Sequence, residues 1–239
     1  MAKFCTKCGK ELVDGKECSC QKNTKVETTT SGSSIVNDLL NLVKGMFTAP
    51  VDTMKSFINE SNFNNALISL GASAIAAAIM ICVLCKEMVG LFFDVAFGSV
   101  GLSGLSGFGA SSIEIPYMKI AMITIVTVCA TYALIAGIAY LISAKLFKNN
   151  TSYKAMLTWL GANAGLTVVV YLVTAICIFI NYTLALIVFA IGSLLNTCYM
   201  YKGLKYACDT DENKLAYVYV PSVLIAAFII GYLVPKILM

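Results

Sequence analysis

The sequence predicts an all-α polytopic membrane protein: a five-helix transmembrane bundle with a small N-terminal zinc ribbon. Three observations carry that prediction. Residues 155–201 run for 47 positions without one charged side chain. Hydrophobic residues make up 59% of the chain and charged residues only 13%, where soluble domains carry about 25% charged residues. Four of the 10 cysteines fall within the first twenty positions.

Those four are Cys5, Cys8, Cys18 and Cys20. Cys5 and Cys8, two residues apart and followed by Gly9, have the form of a knuckle in which two thiolates chelate one ion. The glycine permits a positive φ, so backbone N–H groups can turn toward the sulfurs. Cys18 and Cys20 are separated by a single residue, Ser19. Lys7, Lys10 and Lys16 offset the negative charge of a zinc ion held by four thiolates. Residues 1–22 resemble the small zinc ribbons that open many bacterial membrane proteins, although the second pair departs from the usual Cys-x-x-Cys-Gly. The expected cofactor is one structural Zn2+; four thiolates leave no open position for a catalytic water. Two disulfides in an exported module, or iron in place of zinc, are the competing readings.

Residues 23–34 contain no aromatic residue and read as a flexible linker. Residues 35–62 read as amphipathic, membrane-proximal helices. Ile35, Leu39, Leu42, Val43 and Met46 recur at helical spacing. Pro50 then permits a second helical segment with Val51, Met54, Phe57 and Ile58 on its apolar side. They are expected to lie along the membrane surface, or else to dock under the bundle.

The membrane domain is assigned to residues 63–239. The uncharged run at 155–201 is twice the length that one helix needs to cross a bilayer, so it is read as two spans. Asn181, Tyr182 and Thr183 mark the fold-back. The five expected spans are residues 66–85, 120–144, 157–180, 184–201 and 215–234, with Pro221 near the start of the last and Pro235 ending it. Between the first two spans lie FFDVAF, expected as a short interfacial helix, and the glycine-rich loop at residues 101–107. The first span is expected to act as an uncleaved signal anchor.

Orientation follows from the lysines, which supply all 17 basic residues. With the N-terminus inside, fourteen of the 17 fall on inner segments. The chain is therefore expected in the cell membrane, multi-pass, with a cytoplasmic N-terminus and an outside C-terminus. This also places the cysteine cluster in a reducing compartment, where thiolates persist.

The chain has no histidine and no arginine. Histidine acid–base chemistry and bidentate guanidinium recognition are thereby excluded. No catalytic residues are assigned, and an enzyme is not expected. The span interiors lack Asp, Glu, Lys and Arg, which argues against ion-coupled transport. Asn163 and Asn196 are read as interhelical hydrogen-bonding residues; Gly137, Gly161, Gly165 and Gly192 are read as points of close helix approach. Cys82 and Cys85, one helical turn apart, are read as apolar packing.

The approach FTAPVDTMKSF (residues 47–57), the span entry SYKA (152–155) and the segment YMYKGL (199–204) together resemble the Yip family, membrane proteins named for interacting with Rab-type GTPases. The resemblance covers residues 40–239. It implies five spans with a cytoplasmic N-terminus, and bacterial members often carry an N-terminal zinc ribbon. No functional residue is carried over, and the composition suggests a bacterium without Rab proteins. The expected function is a non-enzymatic membrane scaffold or adaptor. Its expected partners are the lipid bilayer and a cytosolic or membrane protein. A small-molecule transporter or channel is the alternative. A membrane-tethered nucleic-acid sensor ranks last, because residues 1–25 hold only one aromatic, Phe4, to stack on bases.

Overall fold

The computed structural model describes residues 3–4, 11–12, 32–59, 63–98, 115–208 and 212–238. The chain divides into two units, Met1–Asn37 and Asp38–Met239. Cys5, Cys8, Cys18 and Cys20, most of the linker and the glycine-rich loop lie outside the described residues. In the first unit, β1 (Lys3–Phe4) pairs antiparallel with β2 (Glu11–Leu12), Lys3 opposite Leu12 and Phe4 opposite Glu11. All other described elements are helical.

Helix α1 (Gly32–Thr48) starts inside the expected linker and crosses the boundary between the units. After Ala49, α2 (Pro50–Asn59) begins on a proline, which fits a first helical position because no intrahelical N–H is lost there. The apolar side of this pair is docked: Leu42, Met46, Met54 and Phe57 are buried in one cluster with Ala66 and Ala162. The other side leaves Leu40, Phe47 and Val51 exposed.

Helix α3 (Phe63–Gly98) continues where the sequence suggested a break. FFDVAF is the last part of this one helix and not a separate interfacial helix. Lys86 and Glu87 sit on it without interrupting the backbone ladder, since both are good helix formers. At 1.5 Å per residue, its 36 residues extend about 54 Å, well beyond a hydrocarbon core of about 30 Å.

Helix α4 (Tyr117–Leu141) ends in a π-helical turn, Ile142–Leu146. A polar clasp follows: Ser143 Oγ lies 3.0 Å from Thr151 Oγ1, and the Asn149 amide donates to Ser143 Oγ at 3.3 Å. Lys148 adopts φ +54°, the left-handed conformation that tight turns use. Helix α5 (Tyr153–Ile180) is capped by Ser152, whose hydroxyl accepts the Ala155 N–H at 3.1 Å.

The fold-back after α5 needs a single residue. Asn181 is extended, and its side-chain oxygen accepts the N–H groups of Thr183 and Leu184 at 2.8 and 3.2 Å. It thereby caps α6 (Tyr182–Cys208), leaving Tyr182 and Thr183 helical. Helix α7 (Glu212–Leu238) contains both Pro221 and Pro235. Pro235 does not end it. Each proline removes the N–H that would bond the carbonyl four residues back, at Tyr217 and Gly231.

Five of these helices are long and apolar enough to cross a membrane. Helix α5 is the central one, packed against α3 and α6, while α4 packs against α3 and α7. Half of the most apolar stretch of α5 is buried, against 17% for α4, α6 and α7. Those three helices instead turn Met122, Val126, Ile187, Ile191, Leu224 and Phe228 outward. That surface suits lipid, where helix association rests on packing and not on exclusion from water.

Candidate functional site

The interior of the bundle is organised by a chain of uncharged polar groups that links four spans. On α3, Ser73 Oγ lies 2.8 Å from the Leu70 carbonyl and 3.1 Å from the Tyr132 hydroxyl of α4. Each hydroxyl has one proton, so Ser73 donates to Leu70 and Tyr132 donates to Ser73. Thr167 on α5 is a second polar neighbour of Tyr132. Its hydroxyl lies 3.0 Å from Asn196 Oδ1 on α6 and 3.3 Å from the Asn163 carbonyl. The Asn163 amide donates to the same Asn196 oxygen.

This confirms the reading of Asn163 and Asn196 as interhelical hydrogen-bonding residues: they bond each other. The sequence did not single out Ser73, Tyr132 or Thr167. Ser69 Oγ, Asn163 Oδ1 and Thr174 Oγ1 are buried without a hydrogen-bond partner. Removing Asn196 would leave the Asn163 amide and the Thr167 hydroxyl without their shared acceptor. We expect Asn196→Leu to destabilise the bundle by about 1 kcal/mol, the loss of two interhelical bonds at the average of about 0.6 kcal/mol each measured within membranes. Thermal unfolding in detergent reads this out, and an unchanged midpoint would refute it.

Close packing surrounds the polar chain. A Cβ built on Gly161 would lie 2.4 Å from Ala66 Cβ and 2.5 Å from its Cα. One on Gly192 would lie 2.5 Å from Val170. Gly165 meets the Leu42 side chain of α1 at 3.2 Å. Gly137 is the exception, with only the Tyr153 ring at 4.0 Å. Trp159 is fully buried and donates its indole N–H to the Met200 carbonyl at 2.8 Å, locking α5 to α6.

Among the described residues, no three His, Cys, Asp or Glu side chains gather where they could hold a metal ion. Cys82 and Cys85 are half-buried free thiols, and the Cys82 thiol lies 3.8 Å from the Tyr117 carbonyl. What the interior offers chemically is neutral hydrogen bonding.

The model of one family, described as the Yip1 domain, matches residues 44–233. This chain belongs to the Yip1 domain family. Neither a curated protein nor a solved structure matches it. The Yip1 match begins within α1 and ends within α7, so it takes in four of the five bilayer-length helices among the described residues and most of the fifth, and leaves the four N-terminal cysteines outside. As a Yip1 protein with five such helices, the chain is a multi-pass membrane protein in contact with the lipid bilayer.

Proposed function

We propose that this Yip1 protein is a non-enzymatic membrane scaffold whose N-terminal cysteines form a zinc-bound module for a protein partner. The observation that carries the scaffold reading is the contact at Gly161 and Ala66: the central helix meets α3 with no space for even a methyl group. The Asn163 amide and the Thr167 hydroxyl spend their hydrogen bonds on Asn196 of the neighbouring helix. Both features suit a rigid platform better than a conduit.

One feature supports the zinc module. The pairing of Lys3–Phe4 with Glu11–Leu12 brackets the stretch that holds Cys5 and Cys8. A ladder of this length is marginal in water, and a metal cross-link is one way to stabilise it. Cys5, Cys8, Cys18 and Cys20 would hold the ion, and its bonds would supply that cross-link. The distribution of lysines supports a cytoplasmic position for this module. The buried, unpartnered Ser69 and Asn163 oxygens favour a second reading, passage of a small polar molecule.

The test is cross-linking of the tagged protein in native membranes, wild type beside Cys5→Ser/Cys8→Ser, with zinc measured on both. We expect about one zinc per wild-type chain, loss of zinc in the variant, and a partner captured by the wild type alone. Partners that persist in a zinc-free variant would remove the recognition role from the module. Uptake of a polar solute by reconstituted protein would replace the scaffold reading with the second one.

A further inference from the structure

At the lysine-rich end of the bundle, α2, α6 and α7 line an open cavity of about 170 Å³. Tyr201, Lys202, Lys205 and Tyr206 face it from α6, Glu212 from α7 and Val51 from α2. The buried Leu215 lines its apolar side. Tyr201 is held by an edge-to-face contact with Tyr219, ring centroids 5.8 Å apart. The cavity therefore joins an apolar wall to a cationic, phenolic rim, at the lysine-rich end of α6.

Its charges are unequal. Lys205 Nζ lies 2.6 Å from Glu212 Oε1, an ion pair that neutralises both. Lys202 has no ion pair among the described residues. Among the described residues this leaves one net positive charge beside two phenols, which matches the donor set that a phosphodiester accepts. Val51 and Leu215 offer the apolar contact that the glycerol and first acyl carbons of a lipid need, and that a free anion does not.

We propose that this cavity binds the phosphate headgroup of an anionic phospholipid, with Lys202 as the principal cation and Glu212 as its competitor. Glu212 holds Lys205 away from the ligand and repels a second negative charge, so it sets a ceiling on affinity. The site does not depend on the scaffold reading, because it requires only that the bundle be embedded in lipid.

The full-length protein, purified in a neutral detergent, is titrated with dioctanoyl phosphatidylglycerol, dioctanoyl phosphatidylcholine and inorganic phosphate, with bound lipid counted by native mass spectrometry. Phosphatidylglycerol is expected to bind in preference to phosphatidylcholine, and inorganic phosphate is expected not to displace it. Lys202→Gln should weaken phosphatidylglycerol binding about fivefold, the effect of one lysine near a lipid surface. Glu212→Gln should strengthen it by a similar factor, a gain that damaged folding does not produce. Lys145→Gln, which removes the same charge from outside the cavity, should leave it unchanged. Equal losses from Lys202→Gln and Lys145→Gln would reduce the effect to diffuse charge and overturn the proposal. Displacement by inorganic phosphate, or weaker binding by Glu212→Gln, would overturn it as well.

Discussion

Gly161→Leu is expected to abolish the folded bundle. A Cβ at this position meets Ala66 at its Cβ, its Cα and, at 2.7 Å, its carbonyl oxygen. Two of those three atoms are backbone, so no rotamer change relieves the clash, and α3 would have to move away from α5. Overpacking by an ordinary core methylene costs about 1–3 kcal/mol. Leucine adds four carbons here, where the two most buried spans touch. Gly71→Leu is the matched control: it lies on α3 with nothing within 4 Å of its would-be Cβ. Size-exclusion chromatography in mild detergent should show a monodisperse Gly71→Leu and an aggregated or absent Gly161→Leu. A well-behaved Gly161→Leu with the wild-type thermal midpoint would show that α3 and α5 do not depend on this contact.

Trp159→Ala is expected to cost about 3–5 kcal/mol, the range for removing a fully buried large aromatic. The side chain has no measurable exposure and belongs to the main core with Met156, Leu160, Leu204 and Val218. Its indole N–H also satisfies the Met200 carbonyl. Trp159→Phe separates the two contributions, because it keeps most of the ring and loses the donor. It should cost about 1–3 kcal/mol, the penalty for an unsatisfied buried group. Thermal unfolding followed by circular dichroism measures both. Equal losses from Ala and Phe would assign the whole effect to the hydrogen bond and none to packing.

The five spans were legible because bilayer thickness imposes a length on every apolar run, and the uncharged stretch at 155–201 could only be folded once. The fold-back was legible at Asn181, Tyr182 and Thr183, the one polar cluster near the middle of the run. Only Asn181 stays outside the helices, where its side chain accepts N–H groups from the next one. Asn163 and Asn196 were each legible as interhelical hydrogen-bonding residues, because an amide in hydrocarbon needs a partner; that they bond each other was not. Helix ends were harder to read. Lys86 and Glu87 mark the limit of the apolar stretch but carry no helix-breaking chemistry, so α3 runs on through them to Gly98. Pro235 removes one hydrogen bond without stopping the last turn. The partners of Ser73, Tyr132 and Thr167 were hidden for a different reason. Spans that are apolar all round give no face to read, so neighbours are chosen by shape, which one-dimensional hydropathy does not carry.

Trp159 is also the chain's only tryptophan. Its ring and the Met54 methyl converge on the same face of Gly203, at 2.9 and 2.7 Å from where a Cβ would be. Met54 belongs to the amphipathic arm, and Trp159 to the central span. The protein therefore has a native fluorophore where the arm meets the bundle. Its emission wavelength and accessibility to quenchers would report a displacement of that arm, in intact membranes and without any label.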